Sequence, residues 1–255
     1  MQIRSYRVKC YAEYKKSIGL TADYNFYYGN PVNVLVPVDT AVNGVMIIGA
    51  YPSAKFATLQ GVTDVPLYGN DSPFSSETYF DGSRIRSIPS GKELEDNYLL
   101  PLGLLRSQCW ITNLVKVFLF KKGHIARYQK LGRNEFQENR SKFSEYAIRG
   151  IPWIIEEIRI AKPRVIFTLG VEVTSILFGI SKTKAKAYVD GSLRLLTLGK
   201  GVSANAICFP HPGIIMKRSA NNSWPDRLEK VIVPKALSEL QLLGISGSSV
   251  ENNSD

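Results

Sequence analysis

VMIIGAYPSAKFA, residues 45–57, decides the fold. An apolar run, Val45 to Ile48, breaks into the turn Gly49-Ala50-Tyr51-Pro52-Ser53. A short, β-rich apolar run closed by Gly and Pro predicts a strand buried in a parallel sheet. The turn would then stand beyond the carboxyl end of that strand, where open α/β sheets bind their ligands. At its centre the turn carries a tyrosine, Tyr51, rather than a carboxylate.

Three further stretches read as strands: CWITNLVKVFLF (109–120), RVIFTLG (164–170) and AICFPHPG (206–213). Between them lie helical patterns. SKFSEYAIRGIPWIIEEIRIAKP (141–163) puts Ile151, Ile154, Ile155 and Ile158 on one face and ends before Pro163. VEVTSILFGI (171–180) ends near Gly179, and residues 223–244 form a last helix that Ser223 caps and Pro234 kinks or breaks. Strands alternating with helices predict a three-layer αβα fold with a central, mostly parallel four-stranded sheet. Residues 1–40 read as an N-terminal extension packed on the core, 41–244 as the main domain, and 245–255 as a polar, disordered tail. Residues 58–100 are rich in turn formers and read as one long loop, a length that usually serves function.

The chain has 255 residues and a net charge of +10. It is long enough to bury a core without staples. The charge fits either a merely soluble basic protein or a polyanion partner, whose phosphates lysine and arginine would neutralise. No apolar run approaches a membrane span, and the basic, polar start MQIRSYRVKCYAEYKK carries no mark for secretion. Cys10, Cys109 and Cys208 form no CxxC pair, and with two histidines in the chain a metal site is not expected. The expectation is a monomer in the reducing cytoplasm, with no metal, cofactor or membrane.

Four segments in order resemble the uracil-DNA glycosylase superfamily. They are the Gly-x-x-Pro turn at 49–52, ITNLVK at 111–116, PRVIFTLG at 163–170 and His211-Pro212-Gly213. The wording of the motifs is similar to the iron–sulfur branch, but that branch's four cluster cysteines have no counterparts here. The resemblance spans about residues 43–240 and implies a DNA glycosylase, which flips a base out of DNA because the bond it cuts is buried in the stack.

On that resemblance Gly49, Ala50, Tyr51 and Pro52 line the base and sugar pocket, and Phe74 in SPFSS stacks on the base. Asn113 either reads a base edge with its one donor and one acceptor or satisfies backbone at a strand end. His211 is the expected catalytic group, a donor to the charge that develops on the departing base. Ile214, Ile215 or Met216 supplies a wedge for the gap in the duplex, burial of two of the three being the alternative. Ser53, Lys116, Lys217 and Arg218 would contact DNA. His124, within a basic stretch, reads as solvent- or phosphate-facing.

The pattern fails at one place. Superfamily members carry a water-activating Asp or Asn just before the Pro, or a Glu one place earlier, where this chain has Tyr51 and Ala50. Either a carboxylate of the loop has taken over, with Asp81 and Glu77 ahead of Asp71, or the chain binds DNA or a protein without cutting. A nucleoside or nucleotide-sugar hydrolase on the same sheet is the third class, which the basic charge disfavours. The excised base would be uracil, another deaminated base, or a modified base such as a phage's hypermodified pyrimidine.

Overall fold

A computed structural model describes residues 2–21, 23–199, 201–217, 219 and 221–245. The expected disordered tail, apart from Ile245, therefore lies outside the described residues, as does Arg218. In chain order the elements are α1 (Gln2–Ile18), β1 (Val45–Gly49), β2 (Ala54–Leu59), β3 (Val62–Gly69), β4 (Thr78–Phe80), β5 (Ile85–Ser87) and α2 (Pro89–Leu94). Then come β6 (Cys109–Asn113), α3 (Lys122–Lys130), α4 (Phe143–Ala161), β7 (Val165–Leu169), α5 (Val171–Phe178) and α6 (Lys182–Tyr188). The chain continues with β8 (Leu193–Leu198), β9 (Val202–Phe209), α7 (Pro212–Ile215), α8 (Trp224–Arg227) and α9 (Val233–Leu242).

The fold is the three-layer α/β class expected, with a mostly parallel sheet in the order β6-β1-β7-β9-β8. It has five strands rather than four. The added strand, β8, runs antiparallel to β9 from Leu193↔Ile207 to Leu198↔Val202, while β7 and β9 are parallel. Strands β1, β6 and β7 are buried along their whole length, which is why they read as unbroken apolar runs. The second expected strand is shorter than its apolar run: residues 114–120 stay buried but leave the sheet.

The stretch 58–100 is also more ordered than a loop. Strands β2 and β3 form one antiparallel hairpin and β4 and β5 another. The first turns at Gln60 (φ 47°) and Gly61 (φ 78°), the double left-handed step that suits the twist of a two-residue hairpin.

Two compact units make up the chain. The first takes residues 1–38, 48–91 and 111–160, and the second takes 39–47, 92–110 and 161–255. Helix α1, the expected extension, thus shares a unit with β2–β5 and α4. Its Tyr6, Cys10, Tyr14 and Ile18, at helical spacing, are buried. In α4, Ile154, Ile155 and Ile158 are buried and Ile151 half-buried, with Pro152 on the exposed side.

A polar network runs through the core of the first unit. Lys116 and Glu157 are both fully buried, with Nζ 2.5 Å from Oε1. Lys116 Nζ also donates to Thr112 Oγ1 at 2.7 Å and to the Asn113 carbonyl at 3.3 Å. Tyr6 donates its hydroxyl to Glu157, and burial pushes that phenol far above its ordinary pKa. Lys116 therefore meets no phosphate, and its expected DNA contact is corrected to a core ion pair. Removing one partner of such a pair leaves an uncompensated buried charge. Lys116→Met is expected to cost about 3–5 kcal/mol in urea denaturation, and a joint Lys116→Met, Glu157→Leu change to recover most of it. Equal losses in the single and joint variants would contradict this.

His124 is likewise corrected. It is buried, its ring stacks on Phe118 at 5.3 Å, and its Nδ1 accepts from the Lys121 amide. Burial first, then Lys121 and Arg127, lower its pKa to about 4. The unfolded chain therefore takes up this proton first as pH falls, and stability drops between the ordinary value near 6.5 and 4. From pH 7 to 5 the loss from this group is about 2 kcal/mol. His124→Asn is expected to flatten the melting temperature across that window, and an unchanged slope would refute the assignment.

Candidate active site

In the first unit the ends of β1 and β6 are tied past the sheet. The amides of Leu114 and Val115 donate to the carbonyls of Gly49 and Ala50 at 2.8 and 2.9 Å. This register sets Asn113 beside Gly49. A Cβ on Gly49 would stand 2.6 Å from Asn113 Oδ1 and 2.6 Å from the Phe74 ring, so only glycine admits both side chains. Three of the expected pocket residues are thereby brought together.

Asn113 is 2% exposed, and its Nδ2 is buried with no acceptor among the described residues. A buried donor left without a partner costs about 1–3 kcal/mol. Phe74 is half-buried and sits at φ 52°, a left-handed conformation that costs a bulky residue about 1–3 kcal/mol. What holds it is Gly91, where a Cβ would stand 2.5 Å from the Phe74 carbonyl oxygen, and whose amide donates to the Ser75 carbonyl. Strain and an unmet donor thus converge on one spot.

Ala50 and Pro52 are buried and Ser53 half-buried. The Tyr51 ring lies 5.9 Å from that of Phe143, and the Arg140 guanidinium stands 5.0 Å over Tyr51 and 4.7 Å over Phe143. The tyrosine in the turn is therefore a packing and cation-stacking residue. The sequence reading missed both of its partners.

The carboxylates of the former loop separate into two groups. Asp81 is 2% exposed and accepts from the Ser83 amide, the Ser83 hydroxyl and the Arg84 amide at 2.8–2.9 Å. Arg86 pairs with it at 3.0 Å. Hydrogen bonds from Arg84 and Ser83, more than the charge of Arg86, hold its pKa at about 2. Its place is the tip of the β4–β5 turn, which corrects the expectation of a catalytic Asp81 to a structural role.

Glu77 pairs with Lys55 at 2.6 Å and accepts from the Asp71 amide and the Ser75 hydroxyl. Burial opposes its charge, but the hydrogen bonds from Asp71, Lys55 and Ser75 prevail and lower its pKa to about 2. Asp71 is shifted upward, first by its hydrogen bonding with Glu77. A fixed negative charge thus stands three residues beyond Phe74. Lys55, which the sequence reading passed over, is its counter-ion.

In the second unit His211 follows β9 and caps α7. Its Nδ1 accepts from the Gly213 amide at 3.0 Å, so the neutral ring carries its proton on Nε2. Gly170, at φ 104°, lets the chain pass close: a Cβ there would lie 3.1 Å from that of His211. Tyr98 steadies the same segment by donating to the Pro210 carbonyl at 2.8 Å. Of the wedge candidates, Ile214 and Ile215 are half-buried and Met216 is 45% exposed, with Lys217 exposed beside it. Asn222 ties this loop by donating to the carbonyls of Ile214 and Lys217.

Among the described residues no group of three or more His, Cys, Asp or Glu could hold a metal ion, and no helix is long and apolar enough to cross a membrane. In the first unit the end of β1 thus carries a glycine turn with a strained aromatic ring and a buried amide donor beside it, at the strand end where open α/β sheets bind ligands. The family model of the uracil DNA glycosylase superfamily matches residues 39–231, and the chain belongs to that superfamily. A search of curated proteins gave no match. The superfamily is one of DNA glycosylases, hydrolases that act on DNA.

Proposed function

We propose that this protein is a monofunctional DNA glycosylase that works as a monomer in the cytoplasm, hydrolysing one base–deoxyribose bond and leaving an abasic site. The observation that carries the reading is the buried, unpartnered Nδ2 of Asn113 beside Gly49 and Phe74. A base carbonyl would satisfy that donor, the Oδ1 would accept from a ring N–H, and Phe74 would stack on the base. The preferred base is then a pyrimidine that offers an acceptor beside an N–H. Uracil, another deaminated base and a phage's hypermodified pyrimidine are its forms, the last making the protein an antiviral one.

As the bond breaks, negative charge grows on the base and positive charge on the sugar. His211 Nε2–H answers the first, as a preorganised donor. Glu77, ionised well below neutral pH, answers the second and takes over the part of the missing turn carboxylate. Of the lysines near the proposed pocket, Lys55 is paired with Glu77 and Lys116 is buried with Glu157, so neither offers a free amine for Schiff-base lyase chemistry.

Duplexes and single strands carrying these bases, together with phage DNAs of different base content, are to be scored for abasic sites. Glu77→Gln is expected to slow release on the base found while Asp81→Asn acts mainly on stability. Equal activity of Glu77→Gln and the parent would remove Glu77 from the mechanism. DNA binding should also weaken steeply from 50 to 200 mM salt. The absent turn carboxylate favours a second reading, a DNA- or protein-binding module without catalysis, and binding with no release from any DNA would be its result.

A further inference from the structure

The hairpin β4–β5 ends in an apolar pair that packing does not explain. Phe80 and Ile85 face each other across the strands and are 67% and 76% exposed. Side chains alternate along a strand, so Tyr79 and Arg86 point to the other side. They anchor the hairpin: Tyr79 accepts from the Phe56 amide, Arg86 pairs with Asp64 at 3.1 Å, and the Thr58 amide donates to the Asp81 carbonyl. Buried Asp81 pins the tip. The exposed pair is thus mounted on a fixed support, and a contiguous exposed apolar patch marks an interaction site.

Beside it lies a groove of about 530 Å³. Its lining includes Ser53, next to the Gly-x-x-Pro turn, with Phe56, Tyr79, Arg84, Ile85 and Arg86, and has no carboxylate among the described residues. The Arg84 side chain is 71% exposed, and its nearest ion-pair contact is a loose 3.8 Å to Asp81. Arg86, held by Asp64 and Asp81, is an anchor, which leaves Arg84 as the exposed cation beside this aromatic and apolar surface, a combination that binds unpaired nucleotides.

We propose that this groove and hairpin hold the DNA strand flanking the extruded nucleotide. Phe80 stacks on a neighbouring unpaired base, Ile85 packs against its edge, and Arg84 meets its phosphate. The identity of the strand as DNA rests on the glycosylase reading; the hairpin contact is independent of which base is excised.

The test uses the full chain and oligonucleotides that carry a tetrahydrofuran abasic analogue, with 2-aminopurine at successive flanking positions. Phe80→Ser with Ile85→Ser alters only exposed side chains, so the melting temperature should stay unchanged. Affinity is expected to fall about tenfold or more, with loss of the 2-aminopurine fluorescence change at one flanking position. Arg84→Ala should lower the slope of log affinity against log salt by about 1. Unchanged affinity and fluorescence in the double variant, while the parent binds DNA, would overturn the hairpin contact alone. A parent that binds none of these oligonucleotides and releases no base would overturn this contact and the glycosylase reading together.

Discussion

Replacing His211 by alanine is expected to slow base release by about 10²–10³ while DNA binding changes little. The reason lies in where the charge is. Before the bond breaks the base is neutral, and a hydrogen bond from Nε2–H adds little to binding. In the transition state the base is becoming an anion, and a donor already fixed by its Nδ1 bond to Gly213 need not reorganise to meet it. The loss should therefore fall on the rate of the chemical step measured in single turnover. His211→Gln, which keeps a donor without the same fixation, should sit between the parent and alanine. Equal single-turnover rates for parent and alanine variant would take His211 out of the mechanism.

Gly49→Ala is expected to reduce base release by about 10²-fold or more through geometry alone. The new methyl would occupy the place now shared by Asn113 Oδ1 and the Phe74 ring, each 2.6 Å away. Neither can stay, and displacement of positioning groups by about 1 Å can cost 10²-fold. Overpacking of this kind also costs about 1–3 kcal/mol of stability, which denaturation would register. DNA binding should still show its salt dependence, because the substitution removes no charge. Retention of parental turnover by Gly49→Ala would show that the base does not sit against this turn.

The buried strands were legible because burial on both faces leaves an unbroken apolar run, as in Val45–Gly49 and Val165–Leu169. The fifth strand was not. Leu193–Leu198 is only partly buried and carries Arg194, so it lacks that signal; its mark in the sequence was the pair of glycines that follows it, Gly199 and Gly201. The hairpins of residues 54–87 were hidden by their many turn formers, although Gln60-Gly61 and Asp81-Gly82 each stood between short β-rich stretches. Gly49, Phe74 and Asn113 were readable as a set because each belongs to a motif tied to a strand end. The state of the carboxylates was only half legible: Asp81 stands before Gly82-Ser83, a turn sequence, whereas nothing next to Glu77 announces its partner. Asp81 meets its own turn amides, while Glu77 meets Lys55 from a different strand. The burial of Lys116 depended on Glu157, 41 residues away in α4, and no local pattern announces such a pair.

The central claim is that Gly49, Phe74 and Asn113 form the base pocket of a DNA glycosylase. Free base released from DNA by the parent protein and by Asn113→Ala, identified by mass spectrometry and matched to abasic sites, tests it most directly. Asn113→Ala removes the unsatisfied donor together with the side chain's own acceptor, Oδ1, so the fold should survive. One free base is expected from the parent in equal number with abasic sites, and at least a hundredfold less from the variant. Release of the same base at the same rate by both proteins would contradict it.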